Sequence, residues 1–547
     1  MDSYRVPEIV RPLADFPPDK WAHYFLNHTP LDKVSQNHME QKIKVLKEEV
    51  QKELVIPIVN DPKERLVLID EIQRLGVAYH FEEAIEANLQ EFYKNDNVGL
   101  CYKGDLQYVS LKFRLLRQHG LCISSEIFDE FKKKDDSFIE NNVEGILSLY
   151  EACQLRLDGE NVLEEALLFT TTHLTFLVSS STLSSSMAEQ ISRSLKRPLY
   201  KRTTPLEAKH QITIYQLHPS HNQSLLRLAK LNFNLLQSQH KMEINDIYRW
   251  TINMDYSGKF PYARERVTES FFWALGVCYE PKYAYARKLL CKFTILITAV
   301  DDIYDSYGTI HELELFTDVV HRWDSTRFNQ LPDYFKFLYQ FQLHTIQEFE
   351  QELTNQGKSH DLSYLKKEFE NICEAYLQEA RWLHEKLMPT YEEYIKVGVT
   401  TSIIPCLLMA TLQGMGDIAR KEDLEWIFRK SKSKKATGIL CRIMNDIHGH
   451  KEERKRNHIP SAVECYMANY GVSAEDAYKE LEKKVEEEWK NVRAEMIRPT
   501  VVPMPILMRI LNACKTMYDL YKDGEDGFTR AEFMKSQIKA LLIEPVI

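Results

Sequence analysis

Helix-breaking residues are scarce in this sequence. Glycine accounts for only 18 of the 547 residues and proline for 20, whereas average usage of about 7% would give roughly twice as many glycines. An all-β chain needs a turn about every ten residues, so this composition argues against one. Hydrophobic residues make up 44% of the chain, which is ample for a buried core. The sequence therefore predicts an all-α fold.

The spacing of the apolar residues agrees with that prediction. Ile43, Leu46 and Val50 recur at the helical period within a charged segment, and similar segments follow along the chain. Prolines and serines interrupt the pattern between about residues 195 and 225, as is typical of a linker. Because a chain of this length exceeds a single hydrophobic core, we expect two helical domains, residues 1–220 and 221–547.

Charge and composition exclude several classes of protein. The net charge is −10, so a nucleic-acid partner is not expected. The ten cysteines include no Cys-x-x-Cys pair, which indicates reduced, buried thiols. The N-terminus has neither a signal-peptide nor a typical transit-peptide pattern, and apolar runs such as Phe293 to Val300 are shorter than a membrane span. The sequence therefore predicts a cytoplasmic, monomeric protein with no membrane span.

The segment DDIYD, residues 301–305, ends an apolar helical stretch. Asp301 and Asp305 are i and i+4 and share one helical face, whereas Asp302 is turned away by about 100°. Carboxylates at the negative end of an apolar helix repel each other unless cations compensate them. Hard divalent cations, Mg²⁺ or Mn²⁺, suit such oxygen ligands. An acidic helix cap in solvent is the alternative that this segment alone leaves open.

The segment NDIHGHKEE, residues 445–453, provides a second set of oxygen ligands. Asn445 and Glu453 are i and i+8, on one stripe about 12 Å long. Taken alone, this stripe predicts only a solvated helix face. Two such stripes facing each other, each at the polar end of an apolar helix, would hold several Mg²⁺ ions over an apolar pocket. Metals placed in this way can bind a diphosphate and neutralise it as a leaving group.

In these motifs the chain resembles plant class I terpene synthases, and most closely the sesquiterpene synthases. DDIYD matches the family's aspartate-rich motif, and NDIHGHKEE matches its second metal motif. Arg264-Glu265-Arg266 matches its RxR motif, and Arg11-Pro12 with Trp21 matches its RPx8W signature. The resemblance implies a C-terminal helical bundle of the class I terpenoid synthase type and an N-terminal relic α-barrel domain. That N-terminal domain is expected to be structural, because no DxDD motif occurs before residue 220.

The resemblance also implies which residues bind the metals. Asp301, Asp305, Asn445 and Glu453 would hold three Mg²⁺ ions, for which Mn²⁺ could substitute. The family usually has serine or threonine where this chain has Gly449. Since glycine has no side-chain oxygen, water is expected to replace that ligand.

A prenyl diphosphate substrate would be bound by a wider set of residues. The arginines implied by the resemblance are Arg264, Arg266 and Arg442, whose planar forks suit phosphate oxygens. The metal-binding residues Asp301, Asp305 and Asn445 would contribute to the same site.

The walls of the pocket would shelter a carbocation. Ring faces stabilise cations, and closure excludes water. By resemblance, Trp273, Tyr521 and Asp526 are the expected catalytic residues, and Phe528 lies in the same C-terminal loop. Thr400 to Ser402, after Gly398, are expected to bend a long helix spanning about 390–413.

Together these features predict a Mg²⁺-dependent sesquiterpene synthase. It would convert farnesyl diphosphate, by ionisation and cyclisation, into a C15 terpene and diphosphate. The C15 substrate follows from the missing transit-peptide pattern, because cytosolic members of the family usually use it. Three alternatives stay open: a C10, C20 or C25 synthase of the same mechanism, a chain-elongating prenyltransferase, and a non-enzymatic helical scaffold.

Overall fold

The computed structural model of the protein describes most of the chain. The described ranges are 16–57, 61–95, 98–133, 138, 142–180, 182–323, 325–355, 362–453, 459–522 and 525–547; the side chains of 325–326, 452–453 and 522 lie outside the description. Arg11 and Pro12 of the RPx8W signature, and Gly524 of the C-terminal loop, also lie outside it.

Helices form nearly all of the regular structure, which confirms the all-α prediction. In the first half of the chain they are α1 (Ala22–Leu26), α2 (Lys33–Leu54), α3 (Pro62–Arg74), α4 (Glu82–Lys94), α5 (Leu106–Gln118), α6 (Val143–Cys153), α7 (Asn161–Ser179), α8 (Ser185–Lys196), α9 (Thr204–Tyr215), α10 (Gln223–Asn253), α11 (Tyr256–Lys259) and α12 (Val267–Val277). In the second half they are α13 (Ala284–Asp302), α14 (Ile310–Arg322), α15 (Asp333–Asn355), α16 (Ser363–Glu385), α17 (Tyr391–Thr401), α18 (Ile404–Gly414), α19 (Lys421–Arg429), α20 (Lys432–Glu453), α21 (Ala462–Tyr470), α22 (Ala474–Met496), α23 (Met504–Leu520) and α24 (Lys535–Leu542).

Shorter elements join these helices. A π-helical turn, Ile303–Tyr307, continues α13. The strands β1 (Tyr521–Lys522) and β2 (Glu525–Asp526) pair antiparallel, with Tyr521 opposite Asp526. The 3₁₀ helices are Ala78–His80, Leu100–Tyr102, Ser125–Phe131, Leu199–Lys201, Pro281–Tyr283, Ser325–Gln330, Gly416–Ile418 and Ala531–Met534.

The contacts divide the chain into two compact units. Among the described residues, the first unit contains 16–28, Lys241–Glu486 and Leu520–Lys535, and the second contains Thr29–His240, Glu487–Asp519 and Ser536–Ile547. The division after His240 falls within α10, whereas the sequence-based boundary at residue 220 falls just before that helix. Prolines and serines mark where helices end. A boundary drawn from them therefore indicates a gap between helices, whereas the division into units follows the contacts between helices.

Local sequence signals explain where several of these helices begin. Thr309 and Glu312 form a capping box at the start of α14, and Ser461 and Glu464 form one at the start of α21. In each, the hydroxyl accepts a hydrogen bond from a backbone N–H of the first turn while the glutamate accepts one from the residue before the helix. These pairs satisfy backbone donors that the helix itself leaves unpaired.

The core of the first unit lies around α12 and α13. Every residue of α12 is buried, as expected for a helix that is apolar on all sides. From Leu289 to Val300, α13 is buried almost without interruption and packs against α12, α15 and α18. This packing fixes the direction in which α13 presents its C-terminal end, where the DDIYD segment begins.

The segment Tyr391–Gly414 has enough length and apolar character to cross a membrane, and 67% of its most apolar window is buried within the protein. The sequence-based expectation of no membrane span considered uninterrupted apolar runs and stays a prediction, since length and composition alone do not decide it. The segment is split into α17 and α18 by Ser402 and Ile403. Its burial identifies it as part of the protein core.

Candidate active site

The DDIYD segment straddles the end of α13. Asp302 is the last residue of α13 and is buried, whereas the side chain of Asp301 is 25% exposed. Asp305 belongs to the π-helical turn and is exposed. A π-turn adds a residue to the helical repeat and is frequent at functional sites, and the charge of Asp301 still acts on Asp305 within it.

Negative charge is concentrated at this helix end. Burial raises the pKa of Asp302 to about 6, against the effect of the nearby Arg264. Loss of hydration among the surrounding protein atoms and the charge of Asp301 raise the pKa of Asp305 as well. A raised pKa means that the charged form of the carboxylate is destabilised, and a nearby cation would relieve that destabilisation. The segment is therefore electrostatically suited to accept cations.

Arg264 lies directly against this segment. Its backbone N–H donates to Oδ2 of Asp302 at 2.7 Å, and its Nε lies 2.8 Å from Oδ1 of the same residue. One terminal nitrogen donates to Asp301, and the other donates to the hydroxyl of Thr529 at 3.0 Å. The RxR motif and the DDIYD segment, predicted separately, therefore meet in the structure.

Arg266 is placed differently. It is 3% exposed, and its guanidinium donates to the backbone carbonyls of Pro17 at 3.0 Å, Glu265 at 2.9 Å, Phe528 at 3.1 Å and Thr529 at 3.1 Å. In this structure its donors are therefore directed to the main chain. Its predicted contact with the diphosphate stays a prediction.

The second motif lies on α20. Arg442 forms an ion pair with Oδ1 of Asp446 at 2.8 Å and donates a hydrogen bond to the side-chain oxygen of Asn445. Buried Asp446 also accepts hydrogen bonds from the Tyr394 hydroxyl and the Ala462 backbone N–H, each at 2.7 Å. These contacts hold Asp446 in a structural role and leave Asn445 partly exposed. The side chain of Glu453, the last residue of α20, lies outside the described part of the structure.

Glu379, on α16, connects the two motifs and was not predicted. It is 4% exposed and accepts a hydrogen bond from the Thr401 hydroxyl at 2.7 Å. Burial raises its pKa to about 7, Arg442 opposes that rise, and the charge of Asp301 adds to it. Helix α16 packs against the π-helical turn and against α17, and α17 packs against α20, so the helix that carries Glu379 lies close to both motifs. Its only sequence signal is a glutamate on a largely apolar helical face, which many helices share.

The C-terminal hairpin lies beside α20. The ring of Tyr521 is parallel to that of His448, with the centroids 6.1 Å apart, and its hydroxyl interacts with Asn445. Burial and the nearby charge of Asp526 raise the pKa of Tyr521. Asp526 in turn accepts hydrogen bonds from the backbone N–H of Phe528 at 2.8 Å and of Thr529 at 3.2 Å. The structure thus brings Tyr521 and Asp526 to the second motif.

The remaining predicted wall residues are buried in the core of the first unit. Trp273 lies on α12 and is buried. Thr294 and Ile297, which the helical period places on the same face of α13 as Asp301, are buried as well. An aromatic side chain buried on a core helix is equally compatible with packing and with lining a pocket. The role of Trp273 as a catalytic residue therefore stays a prediction.

The expected bend between Thr400 and Ser402 is a complete break. Ile403 has a φ of +62°, a conformation that β-branched residues rarely adopt and that is found where strain serves a functional site. Close packing accompanies the break: a Cβ added at Gly398 would lie 2.9 Å from Cγ of Arg442. The break therefore lies beside both Arg442 and Glu379.

The side chains present fit Mg²⁺ rather than a metal held entirely by protein. Within the described residues, no three His, Cys, Asp or Glu side chains form a closed metal site, whereas Asp301, Asp305 and Asn445 offer separate oxygen ligands. Mg²⁺ commonly uses one or two carboxylates together with substrate phosphates and water. The carboxylates with raised pKa supply the uncompensated charge that such ions would neutralise.

Known protein families match both parts of the chain. Residues 20–195 match the family described as terpene synthase, N-terminal domain, and residues 252–491 match the terpene synthase family, metal binding domain. The second match includes RxR, DDIYD and NDIHGHKEE, and thus every motif that converges in the structure except the C-terminal hairpin.

Similar proteins cover nearly the full length. A (−)-germacrene D synthase of Vitis vinifera is 43% identical over 99% of this chain and 97% of its own. A sesquiterpene synthase of Santalum austrocaledonicum is 42% identical over 100% of both. Isoprene synthase from grey poplar leaves, solved in complex with three Mg²⁺ ions and dimethylallyl-S-thiolodiphosphate, has a TM-score of 0.87 at 35% identity, covering 93% of this chain and 97% of that one. The chain thus belongs to the terpene synthase family and is a class I terpene synthase, a lyase.

Proposed function

We propose that the protein is a sesquiterpene synthase that converts farnesyl diphosphate into a C15 terpene and diphosphate. Ionisation breaks the C–O bond to the diphosphate, whose oxygen keeps the electron pair, and leaves an allylic cation on the C15 chain. The cation cyclises and then loses a proton or captures water. The observation that carries this proposal is the placement of Arg264 against Asp301 and Asp302, which brings the RxR motif to the DDIYD segment.

The metal ligands of the proposal are Asp301, Asp305, Asn445 and Glu453. We propose that they hold three Mg²⁺ ions, or Mn²⁺ in their place, because oxygen ligands beside a diphosphate suit these cations. The bound ions would neutralise the diphosphate as a leaving group. The complex of isoprene synthase with three Mg²⁺ ions supports this number.

The residues of the chain would orient the substrate around those ions. Arg264 and Arg442 already lie against Asp301 and Asn445, so their forks are placed to bind diphosphate oxygens. Arg266 is the third arginine that the resemblance names; because its donors are directed to main-chain carbonyls, its direct contact with the diphosphate stays a prediction. Trp273, Tyr521 and Asp526 would form the wall that stabilises the cation and excludes water.

The C15 chain length is supported by relatives named sesquiterpene synthases. C10, C20 and C25 substrates are the alternatives within the same mechanism. A monomeric state and a cytoplasmic location stay part of the proposal, on the sequence pattern alone.

A substrate panel tests the proposal. The protein would be incubated with Mg²⁺ and geranyl, farnesyl or geranylgeranyl diphosphate, and the extracts analysed by gas chromatography–mass spectrometry. We expect kcat/KM for farnesyl diphosphate to exceed the others by at least about tenfold, a discrimination of about 1.4 kcal/mol. A larger value for another substrate would reject the C15 assignment. A longer prenyl diphosphate formed only with added isopentenyl diphosphate would indicate a prenyltransferase, and no product in any arm would favour a scaffold.

A further inference from the structure

Arg266 contacts three separate stretches of the first unit. The carbonyl of Pro17 belongs to the segment before α1, those of Phe528 and Thr529 belong to the turn after β2, and that of Glu265 is its own neighbour. Four hydrogen bonds to carbonyls use most of the donors of one guanidinium. Because the residue is also buried, losing it would leave these carbonyls without donors in a place with little access to water.

The acceptor carbonyls are themselves held in place. Asp526 accepts hydrogen bonds from the backbone N–H groups of Phe528 and Thr529 at 2.8 and 3.2 Å. This turn fixes the peptide groups whose carbonyls face Arg266. The contact is therefore between two ordered partners, since Arg266 also directly precedes the buried helix α12.

The two stretches that Arg266 joins are the same ones that enclose Arg264. The guanidinium carbon of Arg264 lies 5.3 Å from the ring centroid of Phe16 and 5.8 Å from that of Phe528. Its terminal nitrogen also donates to the Thr529 hydroxyl at 3.0 Å. Cation–π contacts on two sides restrict a guanidinium more than one ion pair does. The position of Arg264 beside Asp301 thus depends on Phe16 and Phe528 staying together.

We propose that Arg266 is a positioning residue: it clamps the segment at Pro17 to the turn at Phe528–Thr529 and so holds Arg264 against Asp301. The contacts of the clamp do not depend on the proposed function. Only the expected effect of the clamp, on the binding of a diphosphate, rests on that function. A lysine cannot replace it, because an ammonium is a point charge that lacks the planar fork needed to reach separated carbonyls.

Hydrogen exchange tests the clamp without substrate or metal. Arg266→Ala and Arg266→Lys would be compared with the wild type in peptides covering residues 16–21, 525–530 and α13. We expect exchange to rise at least about tenfold in both of the first two regions and to stay unchanged in α13. Arg530→Ala is the matched control, because Arg530 is 42% exposed and lies in the same turn. Arg530 contacts Glu525, Glu532 and the ring of Phe533, none of which belongs to the segment at Pro17; its replacement should leave residues 16–21 protected. Unchanged exchange, or a rise in only one of the two regions, would overturn the clamp. If Arg266→Ala unfolds α13, the exchange of residues 16–21 and 525–530 in Arg266→Lys decides whether the clamp exists.

A binding cycle separates positioning from direct contact. The affinity for inorganic diphosphate with Mg²⁺ would be measured by calorimetry in the wild type, Arg266→Ala, Arg264→Ala and the double variant. If Arg266 acts through Arg264, Arg266→Ala should weaken the affinity for diphosphate about fivefold when Arg264 is present. It should weaken that affinity less than about twofold when Arg264 has been replaced by alanine. If Arg266→Ala weakens the affinity by the same factor with and without Arg264, Arg266 contacts the diphosphate independently, and the proposal is overturned. The hydrogen-exchange experiment needs no catalysis. Its result therefore still tests the clamp if the protein proves not to be a sesquiterpene synthase.

Discussion

At the scale of single residues, the structure places Glu379 near both motifs, although its sequence context does not indicate that it belongs to the site. It is buried, the charges of Arg442 and Asp301 both act on its pKa, and it accepts a hydrogen bond from the Thr401 hydroxyl at the break between α17 and α18. A buried carboxylate in such a position orients neighbouring metal ligands and adds negative charge to their site. Its hydrogen bond ties it to the helix break at Thr401, and its charge acts close to Arg442 and Asp301.

Replacing Glu379 with glutamine tests that role. The variant keeps the shape and the hydrogen bond to Thr401 but removes the charge. We expect the apparent affinity for Mg²⁺ to fall by about 10- to 100-fold, measured from the dependence of turnover on Mg²⁺ concentration. Glu385→Gln, at the exposed end of the same helix, should leave the affinity unchanged. An unaltered Mg²⁺ dependence in Glu379→Gln would remove this residue from the site.

Gly398 tests the placement of Arg442. An added Cβ would lie 2.9 Å from Cγ and 3.0 Å from Cδ of Arg442, so Gly398→Ala must displace that side chain. Because alanine favours a helix over glycine by about 1 kcal/mol, thermal stability should change little while kcat/KM falls by about tenfold or more. Gly104→Ala is the control, since nothing lies within 4 Å of its added Cβ. Full activity with Gly398→Ala would show that Arg442 can move without consequence.

At the scale of elements, most helices follow from the sequence, whereas the contacts between them do not. The apolar periodicity of the sequence predicts helices over about 332–356 and 475–496, which correspond to α15 and α22 within one residue. The same periodicity predicts a single helix over about 424–447, which is wrong, because Lys430 and Ser431 separate α19 from α20. The predicted bend at Thr400–Ser402 is a full break, because Ile403 takes a left-handed conformation that tertiary packing imposes.

The residues of the candidate site also differ in whether the sequence alone could indicate them. DDIYD and NDIHGHKEE are local patterns, so the sequence could indicate them. Glu379 and the acceptors of Arg266 come from distant segments, and only the folded chain brings them together. Spacing within a helix predicts neighbours on that helix, and it carries no information about which carbonyl of another segment will face an arginine.

An ion cluster joins elements of the second unit. Glu207 on α9 is 4% exposed and contacts Arg74 of α3 at 3.1 Å, Arg193 of α8 at 2.7 Å and Arg202 at 3.1 Å. Although burial opposes it, the three guanidinium groups lower the pKa of Glu207 to about 2. Since the folded-state pKa is below the unfolded value, its stabilisation is present above about pH 4.5 and is lost as the pH falls towards 2.

Glu207→Gln should therefore lower the free energy of unfolding of the second unit by about 3–5 kcal/mol at pH 7, because its arginine partners lose their anion. Of these partners, Arg202 is buried, and Arg74 and Arg193 are half-buried. The difference from the wild type should shrink as the pH falls below about 4.5. Denaturant unfolding at pH 7, 4 and 3, followed by the fluorescence of Trp489 in that unit, would measure it. A difference that is constant with pH would contradict the assigned charge.

At the scale of the whole molecule, the cysteines report on packing. Cys101 and Cys122 are exposed and the other eight are buried. Burial raises the pKa of buried thiols such as Cys291 and Cys406, and the thiolate is the reactive form. We expect two thiols to react rapidly with Ellman's reagent in the native protein and all ten after denaturation. Fast reaction of more than two would indicate a looser core.

Metal-dependent chemistry in the first unit depends on a folded scaffold that does not need the metal. The helix α13 that carries Asp301 is buried in an apolar core, so its position is fixed by packing. Asp301 itself is partly exposed at the end of that helix. Removing its carboxylate should therefore leave the fold intact and abolish only the chemistry.

Turnover of farnesyl diphosphate by the wild type and by Asp301→Ala, with and without Mg²⁺, is the most direct measurement of this account. We predict a C15 product from the wild type with Mg²⁺, a loss of at least about 1,000-fold on chelation or in Asp301→Ala, and circular dichroism spectra that match in all samples. Equal product in the presence of chelator, or unchanged activity in Asp301→Ala, would contradict the assignment of this site as the centre of a metal-dependent ionisation.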